Sequence, residues 1–117
     1  MNGAKAEAQA LALLEQRGLS LIARNWRCRM GELDLVMRDG DTVVVAEVRS
    51  RVRSDFGAAA ETVDARKQRK LVAAARLFLA ARPDLADCPV RFDVVAFDGA
   101  EKIEWLPGAF EVVDHES

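Results

Sequence analysis

The sequence lacks the features that mark a membrane protein, a secreted protein or a metal-thiolate site. No apolar run approaches the roughly 20 residues that a transmembrane helix needs, and charged residues such as Lys5 and Glu7 interrupt the N-terminal stretch, where a signal peptide would be continuously apolar. Cys28 and Cys88 form no CxxC pair, and the one histidine, His115, stands alone in the tail. We therefore expect a cytoplasmic protein with free thiols and no membrane partner.

The composition is that of one globular domain. The chain has 117 residues, half of them apolar, which is enough for a hydrophobic core but leaves no room for a second domain. No internal repeat or low-complexity linker divides it. We expect a single domain over residues 1–117, with an ordered core at about 3–110 and an acidic C-terminal tail that frays.

Hydrophobic periodicity and turn residues predict seven elements. In chain order these are a helix over residues 3–17, strands over 19–28, 31–38 and 42–51, a helix over 64–81, and strands over 90–97 and 102–106. Asp64 or Thr62 is the expected N-cap of the second helix, and Pro107-Gly108 is expected to end the last strand. The order α-β-β-β-α-β-β predicts an α/β sandwich with a mixed central sheet flanked by helices.

One carboxylate stands inside the most apolar strand of the chain. Val43, Val44, Val45, Ala46 and Val48 form a nearly continuous apolar run, which is typical of a strand that is covered on both faces. Glu47 interrupts that run. A carboxylate buried without a partner costs several kcal/mol, in order of magnitude. We therefore expect this side chain to be paired, to bind a metal or to line a cleft.

The preceding strand brings a second carboxylate close to the first. Strand alternation places Glu32 and Asp34 on one face, with Leu33 and Leu35 on the other. The Asp39-Gly40-Asp41 segment is strong turn chemistry. A hairpin closing at Gly40-Asp41 would set Asp34 directly across from Glu47, whereas one closing at Asp39-Gly40 would set it one diagonal away. Both registers leave the two carboxylates within reach of a common ion.

Basic residues are concentrated after the buried strand. Between positions 49 and 70, seven basic residues stand against three acidic ones, although the whole chain has a net charge of −2. The basic residues are Arg49, Arg51, Arg53, Arg66, Lys67, Arg69 and Lys70. A local excess of this kind can dock a phosphate backbone, and it can equally be a solvated helix face plus a loop. Its nearness to the carboxylate strands favours the first interpretation.

Two other features have ordinary structural explanations. Glu7 lies near the start of the first helix, where a carboxylate interacts favourably with the helix dipole. Trp26 lies among Arg24, Arg27 and Arg29, a mixture that is found at nucleic-acid surfaces and also at sheet edges with extended arginines. The residues alone do not separate these two explanations for Trp26.

Taken together, these residues resemble the YraN-like family of small bacterial proteins. That family is grouped with the restriction-endonuclease-like PD-(D/E)XK superfamily, which includes archaeal Holliday-junction resolvases. The resemblance covers residues 3 to about 110 and rests on several short segments in order. They are residues 3–7 with Ala10, Ala23-Arg24-Asn25-Trp26-Arg27, Gly31-Glu32-Leu33-Asp34-Leu35, Glu47-Val48-Arg49-Ser50-Arg51, Phe56-Gly57, Arg66-Lys67-Gln68-Arg69 and Arg91-Phe92-Asp93-Val94-Val95. The resemblance implies a restriction-endonuclease-like three-layer sandwich.

The resemblance also implies roles for individual residues. Asp34 and Glu47 match the motif carboxylates that hold Mg²⁺ or Mn²⁺, and Glu7 matches the first-helix acid that assists the metal site. Arg49 departs from the pattern, because the family usually has lysine at this position. Arginine keeps the positive charge and can grip a phosphate in a bidentate manner, but it is bulkier, planar and effectively never deprotonated.

Three functions remain open on the sequence. The first is a metal-dependent nuclease acting on DNA, with Asp34, Glu47 and Arg49 at the reaction centre and Glu7 beside it. The second is a nucleic-acid-binding module whose catalysis is weak or lost because of Arg49. The third is a protein-interaction role, in which Glu47 and Arg49 form an ordinary ion pair. In the first two, the backbone track comprises Arg51, Arg53, Arg66, Lys67, Arg69 and Lys70. Similarity to resolvases is also compatible with a homodimer.

Overall fold

A mixed β-sheet lies between two helices in the computed structural model, which describes residues 3–50, 63–97 and 102–110. The elements are α1 (Gly3–Gln16), β1 (Ser20–Cys28), β2 (Gly31–Asp39), β3 (Thr42–Ser50), α2 (Ala65–Ala80), a short 3-10 helix (Pro83–Leu85), β4 (Val90–Phe97) and β5 (Ile103–Phe110). The predicted order of helices and strands is confirmed. The 3-10 helix is an addition that the sequence pattern did not predict.

The strands follow one another across the sheet in chain order. Neighbouring strands are antiparallel, except that β3 and β4 run parallel. A parallel pair needs a long crossover connection, and this connection contains α2. The sheet is therefore mixed, as predicted.

The two helices pack on opposite faces of the sheet. From α1, Ala10 and Leu14 share a buried cluster with Met37 of β2. From α2, Leu71 and Phe78 share a second cluster with Val45, on the other face of the sheet. Helix, sheet and helix thus form the three layers that the family resemblance implied. Neither described helix is long and apolar enough to cross a bilayer.

The first turn of α2 is held by Asp64. This residue is the N-cap, and its Oδ1 accepts a hydrogen bond of 2.9 Å from the backbone N–H of Lys67. One of the four N–H groups that a helix start leaves without a partner is thereby satisfied. Of the two expected caps, Asp64 is the observed one; Thr62 lies outside the described residues.

Removing the cap should destabilise the protein moderately. We expect Asp64→Ala to lower the free energy of unfolding by about 1 kcal/mol, because the Lys67 N–H loses its acceptor. Urea denaturation measures this loss. Asp64→Asn is the matched control, since asparagine caps as well as aspartate does. Equal losses in the two variants would contradict the capping explanation.

The last strand is longer than predicted. It runs through Pro107 and Gly108 to Phe110, so the prediction that these two residues end it was wrong. Proline is tolerated because β5 is an edge strand of the described sheet. The pairing with β4 shifts between Phe92 and Val94, and there the backbone N–H of Gly108 donates to the side chain of Asp93 instead of to a strand carbonyl. The hydrogen bond between Gly108 and Asp93 therefore helps to keep β5 on the sheet beyond Pro107 and Gly108.

Candidate functional site

Asp34 and Glu47 meet where the pairing of β2 with β3 ends. Asp39 pairs with Thr42, so the hairpin closes at Gly40-Asp41, the first of the two predicted registers. The last paired residues are Leu35 and Ala46, one position before the two carboxylates. One residue after Glu47, the backbone N–H of Val48 donates a hydrogen bond of 2.9 Å to Asp34 Oδ2. The Asp34 carboxylate thus accepts a backbone hydrogen bond from β3 at the point where the backbone pairing of the two strands has ended.

The side chains of β2 do not alternate strictly around this point. Leu33 packs in the cluster on the α2 face, whereas Leu35 packs in the cluster on the α1 face. The prediction that Leu33 and Leu35 share a face was therefore wrong. The physical reason is that β2 still pairs with β1 as far as Gly31, while its pairing with β3 has stopped at Leu35. Past Leu35 the strand is paired on the β1 side only, and the alternation that two pairings enforce does not extend to Leu33.

The side chain of Glu47 is buried and only partly satisfied. The residue is 4% exposed. Its Oε2 lies 3.4 Å from the Arg49 guanidinium and 3.4 Å from Lys67 Nζ. Its Oε1 is the one buried side-chain oxygen without a hydrogen-bond partner in the described part of the chain. A buried carboxylate oxygen normally has a partner, so this atom is open to a ligand from outside the chain or to a proton shared with Asp34, whose side chain is within hydrogen-bond reach of Glu47.

The acidic side chains around Glu47 repel one another. The pKa of Asp34 is raised from 3.8 to about 7, first by burial and next by the negative charge of Glu47. The pKa of Glu7 on α1 is also raised, by burial and then by the charge of Asp34, against a hydrogen bond from Asn25. Such mutual repulsion is relieved by a cation placed among the carboxylates. Glu7 therefore lies close enough to Asp34 for their charges to interact.

The two carboxylates fit a hard divalent cation. Mg²⁺ prefers oxygen ligands and is commonly held by one or two carboxylates, with water and substrate phosphate completing its shell. Asp34 and Glu47 are such a pair, and the partnerless Oε1 of Glu47 supplies an open ligand oxygen. Over residues 3–50, 63–97 and 102–110, no group of three or more His, Cys, Asp or Glu side chains is arranged to hold a metal by itself.

The predicted basic residues divide into three sets. Arg49 and Lys67 contact Glu47 directly. Arg66, Arg69 and Lys70 are exposed on α2. Arg51 and Arg53 lie outside the described residues. The structure thus brings one lysine of the predicted backbone track to the carboxylates, a contact that the sequence pattern did not reveal.

Two more residues acquire roles that the sequence did not assign. Asn25 hydrogen-bonds Glu7, and its backbone has a φ of 53°, the only positive φ at a non-glycine residue in the described chain. Asparagine tolerates this conformation better than most residues, which is the only signal that could have marked it. Trp26 packs edge-on against Phe78 of α2 with ring centroids 5.2 Å apart. It therefore packs against the core from the edge strand β1, which favours the sheet-edge explanation over a nucleic-acid surface.

Comparison with known proteins finds close relatives over nearly the whole chain. Residues 6–97 match the sequence model described as uncharacterised protein family UPF0102. A UPF0102 protein of Pseudomonas putida (strain GB-1) is 53% identical over 113 residues, covering 93% of this chain and 92% of that protein. A UPF0102 protein of Stutzerimonas stutzeri (strain A1501) is 54% identical over 113 residues, covering 94% of each. The site residues Glu7, Asp34, Glu47 and Lys67 all fall inside the matched region.

Proposed function

The chain belongs to the UPF0102 family, as the YraN-like resemblance predicted, and we propose that it is a metal-dependent nuclease that hydrolyses the phosphodiester backbone of DNA. The observation that carries the proposal is the buried Glu47 Oε1, which has no partner and lies beside a second carboxylate. A purely structural ion pair would not require an open carboxylate oxygen. A site for Mg²⁺ or Mn²⁺ explains it.

Each side chain of the site has a part in this proposal. Asp34 and Glu47 hold Mg²⁺ or Mn²⁺, and the hydrogen bond from Val48 to Asp34 Oδ2 keeps that carboxylate in place. When bound, the metal supplies positive charge against the phosphate and acidifies a water molecule. Glu7, held by Asn25, adds negative charge next to Asp34 and favours the bound cation. Arg49 grips a non-bridging phosphate oxygen, for which its planar donor fork is suited.

The reaction is a hydrolysis with no further reactant. A water oxygen forms a bond to phosphorus, and the bond from phosphorus to one sugar oxygen breaks. One proton of the water ends on the departing sugar oxygen and the other stays with the new phosphate monoester.

The exposed Arg66, Arg69 and Lys70 on α2 attract the DNA backbone independently of base sequence.

Two measurements on the wild type and Asp34→Asn test the function. We expect the wild type to bind Mn²⁺ and to cut DNA in Mg²⁺ or Mn²⁺, and Asp34→Asn to lose both properties, because asparagine keeps the Val48 hydrogen bond but not the charge. Calorimetric titration with Mn²⁺ and cleavage of plasmid, linear and branched DNA are the assays. Asp41→Asn, in the exposed turn of the same hairpin, is the matched control and should behave as the wild type. Cleavage that survives in Asp34→Asn would refute the proposal.

A second function is favoured by the contact of Arg49 with Glu47. The guanidinium lies 3.4 Å from Glu47 Oε2. It therefore occupies one of the two oxygens of the carboxylate that would bind the metal. The protein would then bind DNA without cutting it. In that case Arg49→Lys should cut where the wild type does not, and DNA binding should weaken with salt and with Arg69→Ala across all sequences alike. Failure of the wild type to bind any nucleic acid at low salt would favour a protein-interaction role instead.

Two further expectations belong to this proposal. A nuclease of this size covers a short stretch of DNA, so a homodimer with two sites would engage both strands. A cytoplasmic location accords with such a substrate. Sedimentation of the protein with and without branched DNA measures the oligomeric state.

A further inference from the structure

Lys67 reaches Glu47 from a different layer of the fold. Its Nζ lies 3.4 Å from Glu47 Oε2, although the two residues belong to α2 and β3. Lys67 stands one turn before Leu71 and two turns before Ala74, at the N-terminal end of the buried stripe of α2. Its backbone N–H is held by the Asp64 cap. The helix start therefore fixes the lysine in a position that points toward the carboxylates.

The position is electrostatically unfavourable without an anion. A cation in the first turn of a helix opposes the helix dipole, and the acid nearest to the start of α2 is the Asp64 cap, whose carboxylate is bound to the Lys67 backbone N–H. Glu47 provides the anion. Arg49 contacts the same oxygen, so two cations share Oε2 while Oε1 has no partner. The two cations therefore face the same oxygen of a carboxylate whose neighbour, Asp34, is also acidic.

The two cations differ in what they can do for a substrate. The guanidinium of Arg49 is planar and presents its donors in a fixed fork, whereas an ammonium is compact and its three donors rotate. A compact donor can follow a small group, such as a water molecule or a single phosphate oxygen, as the reaction proceeds. Lys67 places such an ammonium on Glu47 of the carboxylate pair.

We propose that Lys67 is a catalytic residue of this protein, supplying from α2 the ammonium donor that orients the attacking water beside Glu47, while Arg49 on β3 holds the phosphate. This inference rests on the proposed nuclease function. The site then draws on every layer of the fold: Glu7 comes from α1, the carboxylate pair and Arg49 from the sheet, and Lys67 from α2.

The test compares Lys67→Met, Lys67→Arg and the double variant Lys67→Met with Arg49→Lys. We expect Lys67→Met to cut DNA roughly 100-fold more slowly, the scale for loss of one preorganised donor. Lys67→Arg should remain impaired although it keeps the charge. The double variant should regain part of the activity, because an ammonium returns from β3, although the guanidinium that held the phosphate is gone. Arg76→Met, which removes an exposed cation from the second half of α2, is the matched control and should cut normally.

Metal affinity gives a readout that does not depend on cleavage. Removing the Lys67 ammonium takes a competing cation away from Glu47, so Lys67→Met should bind Mn²⁺ as tightly as the wild type or several-fold more tightly. If Lys67 were merely structural, Lys67→Met would lose metal affinity and cleavage together, and Lys67→Arg would remain fully active. Either result overturns the inference.

The outcomes separate this inference from the function on which it rests. A wild type that neither binds Mn²⁺ nor cuts DNA overturns both proposals. A wild type that binds and cuts, together with a Lys67→Met variant that cuts equally well, overturns the role of Lys67 alone. The role of Lys67 is also overturned if the wild type binds Mn²⁺ without cutting DNA while the Arg49→Lys variant does cut, because Lys67 would then not supply the donor.

Discussion

Replacing Asp93 by alanine is expected to lower the free energy of unfolding by about 3 kcal/mol, a large share of the roughly 5–15 kcal/mol of a typical domain. Asp93 is 1% exposed. Its carboxylate accepts two hydrogen bonds from Arg91, one from the Trp105 indole and one from the Gly108 backbone, all between 2.9 and 3.1 Å. Alanine leaves these donors, including a half-buried guanidinium, without their acceptor.

An exposed pair in the same protein is the matched control. Arg82 and Asp84 have the same spacing along the chain and also form two hydrogen bonds, but both lie at the surface. Asp84→Ala should therefore leave the urea midpoint close to that of the wild type. Asp93→Asn, which keeps the shape and loses the charge, should fall between the wild type and Asp93→Ala. Equal effects of Asp93→Ala and Asp84→Ala would show that the buried network contributes no special stability.

Replacing Asp34 by asparagine is expected to stabilise the metal-free protein at about pH 8 by on the order of 2 kcal/mol. Burial and the charge of Glu47 raise the pKa of Asp34 to about 7 in the folded protein, whereas an aspartate in an unfolded chain ionises near pH 4. Between about pH 4 and about pH 7, Asp34 is protonated in the folded state and ionised in the unfolded state. Stability contributed by the neutral form is thus lost as the pH rises from about 4 to about 7, and asparagine avoids the loss.

Thermal unfolding at several pH values measures this effect. The melting temperature of Asp34→Asn should match that of the wild type near pH 4 and exceed it by several degrees near pH 8. Asp41→Asn, in the exposed turn, should show no such divergence. Saturating Mn²⁺ should raise the wild-type melting temperature and leave that of Asp34→Asn unchanged, because a ligand stabilises only the state that binds it. An Asp34→Asn variant that is less stable than the wild type at pH 8 would contradict the repulsion between Asp34 and Glu47.

The carboxylate pair could be predicted from local pattern. Glu47 interrupts a run of valines, and the Gly40-Asp41 turn sets a register in which Asp34 and Glu47 come one position after the last pair, Leu35 and Ala46. Both arguments need only a few neighbouring residues and one hairpin. Their close approach was therefore readable before any tertiary contact was known, and so was the burial of Glu47.

The partners of the buried charges could not be predicted in the same way. Asp93 resembles Glu47 in the sequence, since both are acids within apolar strands followed by valines. The structure distinguishes them: Asp93 is fully hydrogen-bonded, whereas Glu47 retains an open oxygen. The donors to Asp93 include Trp105 and Gly108, which belong to another strand. No periodicity within β4 indicates them.

The amino-acid sequence is enough to establish the order of the elements and to limit the pairing of β2 with β3 to two registers, because periodicity, caps and turns act over short distances along the chain. Tertiary contacts set the point where that pairing stops, the continuation of β5 past Pro107, and the contact of Lys67 with Glu47. These features depend on contacts between side chains on separate elements. Their geometry is set by the packing of α2 and β5 against the sheet, which the local pattern does not specify.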